Sequence, residues 1–186
     1  MNKLIIGVLA ALIAVAVFSG VGIYNGLVTA NENIDGKWSQ VEINLQRRAD
    51  LIPNLVETTR AFAAQEKEIF TRVAEARAKL AGANTVAETA QADSELSQAL
   101  SRLLVVVENY PQLKSDANFR QLSDELAGTE NRLATSRKDY NDAVQAYNTR
   151  IKRFPANMVA GIGGFSPREY FSAQPGTENA PQVKFE

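Results

Sequence analysis

The sequence predicts an all-α protein in which an N-terminal transmembrane helix is followed by an antiparallel bundle of long helices and an irregular Gly/Pro-rich C-terminal tail. Three observations favour this fold class: residues 4–23 are apolar, apolar residues then recur at steps of three and four, and strand-like alternation never persists beyond a few residues. With 186 residues, the chain has room beyond an anchor for one soluble domain. We predict an anchor in residues 1–30, a bundle in residues 31–155 and a tail in residues 156–186.

The predicted anchor is a stretch without charged residues that runs from residue 4 to residue 31. Residues 4–23 are almost entirely apolar and match the length of about 20 residues that a spanning helix needs. Lys3 precedes residues 4–23, and Tyr24 follows them at the position of a headgroup-level aromatic ring. The alternative is a cleaved signal peptide, because residues 14–16 have the small-x-small form of a cleavage site. Since apolar residues continue to residue 23, we favour a retained membrane helix.

The first bundle segment carries one apolar stripe with helical spacing. Pro53 lies within it, and because proline lacks an N–H and clashes with the preceding turn, we expect a kink or break at residues 52–54. The helix is then expected to resume and to end near the turn signal at residues 81–84. The stripe and its continuation comprise Ile34, Trp38, Val41, Leu45, Ala49, Ile52 and Val56, then Leu55, Phe62, Ile69, Phe70, Val73 and Leu80.

Two further helices follow in the predicted bundle. The second covers about residues 85–109 and stops before Pro111, because the residue before a proline disfavours the helical conformation. The third has apolar residues every seven positions and ends at the Phe154–Pro155 pair. Beyond it the chain becomes rich in Gly and Pro, and we expect its isolated aromatic residues to fill gaps on the bundle surface. The seven-residue series is Phe119, Leu126, Leu133, Tyr140, Tyr147 and Phe154, and the aromatic residues of the tail are Phe165, Tyr170, Phe171 and Phe185.

The composition excludes several classes of function. The chain has 20 basic and 21 acidic residues, so it has no excess positive charge to attract nucleic acid. It contains no His and no Cys, which removes the commonest general base, the thiol nucleophile and the usual zinc ligands. No pair of carboxylates is spaced for acid/base work. We therefore expect no catalytic, metal-binding or cofactor-binding residues, and no cofactor.

Two groups of polar residues remain as candidates for a structural or interaction site. Arg47, Arg48 and Asp50 flank the first apolar stripe, where arginines could bind an anion or could simply brace a helix face. Glu130, Asn131 and Arg132 lie beside the seam of the third helix. We favour a network between helices that sets their register, joining Arg48, Glu108 and Glu130, over a polar ligand pocket. If such a network is buried, Glu130→Ala is expected to cost about 3 to 5 kcal/mol.

Several blocks of the sequence resemble the LemA family. Residues 45–58 read LQRRADLIPNLVET, residues 108–114 read ENYPQLK, and residues 129–132 read TENR. Asn109 joins the candidate residues through the second block, and the resemblance covers essentially the whole chain. It implies a membrane-anchored bundle of long helices in the bacterial envelope, with relatives among magnetosome membrane proteins. It also implies no established enzymatic activity and supplies no catalytic residues.

Three functions are compatible with these features. We favour a scaffold or adaptor at the bacterial inner membrane, which contacts lipid through residues 4–23 and binds other membrane or envelope proteins. A small-ligand receptor or enzyme that uses the Arg/Glu residues, and a self-assembling protein that shapes membranes, are the alternatives. The last would make the chain a homo-oligomer. Lys3 precedes the apolar segment and Glu32 and Asp35 follow it, so we expect the soluble domain to lie outside the cytoplasm.

Overall fold

The computed structural model describes residues 2–172, and in that part of the chain it contains six α-helices and no strand. The predicted all-α fold class is therefore confirmed. The helices are α1 (Asn2–Phe62), α2 (Lys67–Gly82), α3 (Val86–Val107), α4 (Pro111–Ser115), α5 (Ala117–Lys152) and α6 (Ala156–Gly163). The later part of the predicted tail, including Phe185, lies outside the described residues.

Helix α1 continues through Pro53 to Phe62, so the predicted break at residues 52–54 is wrong. Proline at position 53 cannot donate to the carbonyl of Ala49 four residues earlier, and an unpaired carbonyl would be costly inside a protein. Arg77 on α2 supplies the missing donor, with its Nε 2.9 Å from the Ala49 carbonyl oxygen. A side chain from another helix therefore allows α1 to pass through the proline.

Helix α1 instead ends nine residues after Pro53, at a corner that the sequence did not predict. Ala63 is fully buried there, and the N–H of Glu66 donates to its carbonyl oxygen at 3.0 Å, so the chain turns before α2 begins. The Tyr110 hydroxyl donates to Glu66 at 3.0 Å and accepts from Gln65 at 2.7 Å. This corner thus depends on a residue that follows α3 in the sequence.

Helix α3 closely matches the predicted second segment. Its first turn is closed by a capping box, in which the Thr85 hydroxyl accepts from the Glu88 N–H and the Glu88 carboxylate accepts from the Thr85 N–H. Its apolar face packs into a core that all of the first five helices help to form. The main members of that core are Ile52, Leu55, Phe70, Val73, Leu96, Leu100, Leu103, Leu113, Phe119 and Leu126.

The contacts divide the chain into two compact units. One comprises the chain up to Ser39 together with Lys138–Glu169, and the other comprises Gln40–Arg137 together with the chain from Tyr170. Helices α1 and α5 each contribute to both units. The division into an anchor, a bundle and a tail at residues 30 and 155 stays a prediction.

In the first unit, α1 and α5 pack through buried apolar and aromatic side chains such as Leu27, Ile34 and Tyr147. The chain after α6 is fastened by Arg168: its backbone exchanges two 2.8 Å hydrogen bonds with the Asn148 side chain, and its guanidinium pairs with Asp35. Within the tail, Phe165 packs against Tyr24 with ring centroids 5.4 Å apart.

Two expectations about the C-terminal part need correction. Residues 156–163, predicted to be irregular, form helix α6, and the next residue, Gly164, terminates it in the left-handed conformation that glycine adopts without strain. Phe154, predicted as the last core residue of the seven-residue series, is 80% exposed. Because α5 ends at Lys152, Phe154 no longer follows the helical spacing that buries Tyr140 and Tyr147.

Candidate functional site

Four charged side chains form a closed ring in the second unit, which we call the charged cluster: Arg48 on α1, Asp93 on α3, and Glu130 and Arg137 on α5. Arg48 Nη1 donates to Asp93 Oδ1 at 2.7 Å and lies 3.0 Å from Glu130 Oε2. Arg137 pairs with Asp93 Oδ2 through one nitrogen, and its Nη1 lies 3.5 Å from Glu130 Oε1. Positive and negative groups therefore alternate around the ring.

The charged cluster is more deeply buried on one side than on the other. The Arg48 and Asp93 side chains are 5% and 4% exposed, whereas those of Arg137 and Glu130 are 22% and 40% exposed. Burial raises the pKa of Asp93 above its ordinary value, because the loss of hydration outweighs the attraction of Arg137 and Arg48. A buried carboxylate with two guanidiniums requires all its partners, since an isolated charge in this place would be poorly solvated.

The positions of these residues on their helices explain why they meet. Arg48 follows Leu45 and precedes Ile52 by three and four residues, so it lies on the buried face of α1. Asp93 precedes the buried Leu96 by three residues, so it lies on the buried face of α3. Arg48 Nη2 donates to the Ser97 hydroxyl at 3.0 Å, and this hydroxyl donates in turn to the Asp93 backbone carbonyl oxygen at 2.9 Å. The polar residues thus replace one apolar layer of the helix interface.

Of the residues singled out in the sequence, the structure brings together Arg48 and Glu130. Glu108 instead pairs with Lys114 at 2.6 Å on the surface, and Asp50 accepts from Gln46 at 2.7 Å within α1. The predicted participation of Glu108 in the network is therefore wrong. The candidates that are exposed and lie outside the charged cluster are Arg47, Asp50, Glu108, Asn109, Asn131 and Arg132.

Asp93, Ser97 and Arg137 are members of the site that sequence analysis missed. A signal for Asp93 was present, because it occupies the same helical seam as Leu96, Leu100 and Leu103. Arg137 likewise lies four residues after Leu133 and three before Tyr140. A charged residue at a seam position indicates a buried partner, but its spacing alone does not identify that partner.

A groove of about 350 Å³ opens beside the charged cluster between α3 and α5. Its walls are largely aliphatic, and Leu104 in it is 41% exposed. Among the described residues that line it, Arg48 Nε and Ser123 Oγ are buried polar atoms without a hydrogen-bond partner, whereas the buried Glu130 Oε2 is paired with Arg48 Nη1 at 3.0 Å. The lining residues are Arg48, Ser97, Leu100, Ser101, Leu104, Ser123, Leu126, Ala127 and Glu130.

The chemistry of this site favours recognition over reaction. The Asp93 carboxylate is held by two guanidiniums and the Ser97 hydroxyl donates to a backbone carbonyl, so neither group is presented as a base or as an activated nucleophile. Across the described residues, no three acidic side chains are grouped closely enough to hold a metal ion. The groove offers a largely aliphatic wall, with the polar side chains of Arg48, Ser123 and Glu130 along it.

Comparison with known proteins identifies relatives over most of the chain. The sequence profile described as the LemA family matches residues 37–185. Magnetosome protein MamQ 2 of Paramagnetospirillum magneticum is 33% identical over 178 residues, which is 82% of this chain and 65% of that protein. The chain therefore spans less than two thirds of the length of that relative. Magnetosome protein MamQ of Magnetospirillum gryphiswaldense is 30% identical over 189 residues, covering 86% of this chain and 70% of its own. Protein LemA of Metamycoplasma hominis is 24% identical over 150 residues, covering 80% and 68%.

Proposed function

This chain belongs to the LemA family, and from that membership and its apolar N-terminal helix we propose that it is a membrane-anchored scaffold or adaptor without catalytic activity. In this function the N-terminal part of α1 holds the protein in the membrane, and the helices beyond it bind other membrane or envelope proteins. Confinement to a membrane raises the effective concentration of such partners, so even weak contacts can assemble a complex.

The membrane part of the proposal is supported by α1. It is the one helix in the described part of the chain that is long and apolar enough to cross a membrane, and the most apolar part of it is not buried against any other part of the protein. Ile5, Leu12 and Phe18, for example, are 59%, 62% and 79% exposed. Such a surface is stable in the hydrocarbon of a bilayer and is unfavourable in water.

The observation that carries the non-catalytic part of the proposal is the pairing within the charged cluster. Its four ionised groups compensate one another, so they hold α1, α3 and α5 in register. Catalytic groups usually have a pKa matched to proton transfer and an open path to substrate. Asp93 has a raised pKa but is buried beneath two guanidiniums, which suits a structural role.

A second candidate function, a receptor for a small molecule, is favoured by the groove and by two buried polar atoms of its lining residues that have no hydrogen-bond partner, Arg48 Nε and Ser123 Oγ. An amide attached to an aliphatic side chain matches this lining, because its oxygen can accept from Arg48 Nε or the Ser123 hydroxyl once these groups turn toward the groove, and its aliphatic part can pack against the leucines. A peptide segment of a partner protein has this same chemistry. We therefore favour the groove as a contact face for a partner, and N-acetylleucinamide is a minimal probe for the receptor function.

We expect the purified full-length protein in detergent to show no hydrolase or transferase turnover, and the anchored protein to crosslink to defined membrane partners through the groove. A photo-reactive amino acid at Leu104 tests the groove in the native host, and the same residue at Ala134, which is exposed on α5 outside the groove, serves as the control. Equal crosslinking from both positions would argue against a specific contact face. Turnover that disappears in Arg48→Ala and persists in the exposed neighbour Arg47→Ala would overturn the non-catalytic proposal.

A separate prediction concerns the side of the membrane on which the helical part of the chain lies. We propose that the chain lies in the inner membrane with its helices outside the cytoplasm, because Lys3 precedes the apolar segment and acidic residues, Glu32 and Asp35, are the first charges after it. Protease added to intact spheroplasts is expected to digest the helical part. Digestion only after the membrane is permeabilised would establish the opposite orientation.

A further inference from the structure

Helix α6 buries two alanines and exposes larger apolar side chains. Ala156 and Ala160, four residues apart on one side of the helix, are 8% and 3% exposed. Met158 and Ile162 lie on the opposite side and are 61% and 90% exposed, and Phe154 just before the helix is 80% exposed. Single exposed apolar residues are ordinary, but three such side chains within nine residues are unfavourable in water and usually contact something apolar.

The end of α6 touches α1 at the residue where the spanning segment ends. The Tyr24 and Phe165 rings pack edge to face at 5.4 Å. A Cβ atom built on Gly163 would lie 3.2 Å from the Tyr24 ring, so the helix and this tyrosine are in close contact. Both belong to the same compact unit. If residues 4–23 cross a bilayer, Tyr24 lies at the headgroup level, and the end of α6 is therefore at that level too.

Basic residues flank this apolar surface in the sequence. From residue 150 to residue 168 the chain contains Arg150, Lys152, Arg153 and Arg168 and no acidic residue. Arg150 donates to the Gly26 carbonyl oxygen at 2.9 Å, which holds the end of α5 beside α1 just past Tyr24. Lys152 and Arg153 are exposed. An apolar helix face next to exposed cations matches the boundary between the acyl chains and the phosphates of a bilayer.

We propose that α6 is a second membrane-contact element, which inserts Phe154, Met158 and Ile162 into the interfacial region of the bilayer that α1 crosses, while Lys152 and Arg153 meet anionic lipid headgroups. The inference rests on the proposed membrane anchorage. The bilayer is the favoured occupant because any membrane around the spanning segment borders Tyr24 and therefore Phe165 and Gly163. A helix of eight residues is about 12 Å long, so Met158 and Ile162 lie within one or two turns of that contact and Phe154 lies just before the far end of the helix.

Spin labelling of the full-length protein in phospholipid vesicles tests this inference directly. The chain has no Cys, so Ile162→Cys and Met158→Cys each create a single labelling site on an exposed side chain. Val15→Cys in the spanning segment is the lipid reference, and Gln145→Cys, exposed on α5, is the aqueous reference. For each spin label we measure the rate of collision with oxygen, which concentrates in lipid, and divide it by the rate of collision with a water-soluble nickel chelate. We expect the ratio at residues 158 and 162 to exceed that at residue 145 several-fold.

The possible outcomes separate the proposals. A ratio at residue 162 equal to that at residue 145, with a lipid-like ratio at residue 15, would overturn the α6 contact and leave the anchorage intact. An aqueous ratio at residue 15 would overturn both. If the ratio at residue 162 rises with the protein-to-lipid ratio, a second copy covers α6 and the bilayer assignment is wrong. The double variant Lys152→Gln and Arg153→Gln is expected to lower the ratio at residue 162 in phosphatidylglycerol vesicles only; an equal effect in phosphatidylcholine vesicles would refute the headgroup contact.

Discussion

Replacing Asp93 with alanine is expected to lower the free energy of unfolding by about 3 to 5 kcal/mol, because it removes a buried carboxylate that two guanidiniums share. The Arg48 side chain is only 5% exposed, and without Asp93 it would keep only the partly exposed Glu130 as a counter-charge. A buried charge that loses its partner costs far more than the pair contributed as a pair. Chemical denaturation of the full-length protein in detergent, followed by circular dichroism, measures this loss.

Two other carboxylates calibrate this measurement. Glu95 lies two residues after Asp93 on α3 and pairs with Lys79 at 2.6 Å on the surface, so Glu95→Ala is expected to cost less than about 1 kcal/mol. Glu130→Ala should fall between these two variants: Glu130 contacts the buried Arg48 and the partly buried Arg137, whereas Glu95 contacts only an exposed lysine, but the Glu130 side chain is itself 40% exposed, so water can replace part of its contacts. The expected loss for Glu130→Ala is therefore smaller than the value of about 3 to 5 kcal/mol that the sequence suggested for a buried network. A loss for Asp93→Ala no larger than that for Glu95→Ala would contradict the burial of the charged cluster.

Placing two arginines in the spanning segment, as Leu12→Arg with Val15→Arg, is expected to release the protein from the membrane fraction. One arginine at the centre of a spanning helix costs about 2.5 to 3.5 kcal/mol of insertion free energy, so two cost roughly 5 to 7 kcal/mol. The native side chains are 62% and 64% exposed, so the substitutions disturb no packing within the protein. Resistance to extraction with alkaline carbonate reports the change.

The control adds the same charge elsewhere. Ala134→Arg with Thr135→Arg changes two exposed positions on α5, and this variant should remain as resistant to extraction as the unmodified chain. Equal retention of the Leu12→Arg, Val15→Arg variant would contradict a membrane-spanning α1. The intact mass of the unmodified protein separates the other alternative, since a mature chain that begins after Ala16 would show that the segment is a cleaved signal peptide.

Local patterns in the sequence were sufficient for the helices themselves. The repeated apolar residues of α5, from Phe119 to Tyr147, are buried as their spacing predicts, and α3 lies within the predicted residues 85–109. The length and apolarity of residues 4–23 predict a helix that could span a membrane, and α1 has these properties. Helical periodicity and hydrophobicity depend on neighbours in the chain, so they can be recognised without knowing the fold.

The sequence by itself thus determined the all-helical class, most helix positions and the two charged residues Arg48 and Glu130. Only the tertiary structure decided that Arg77 satisfies the carbonyl freed by Pro53, that Asp93 and Arg137 complete the charged cluster, and that α6 lies against Tyr24. The physical reason is the same in each case. A polar or aromatic side chain finds its partner on another helix, and that partner depends on the register and packing of the helices, which residue spacing within one helix does not specify.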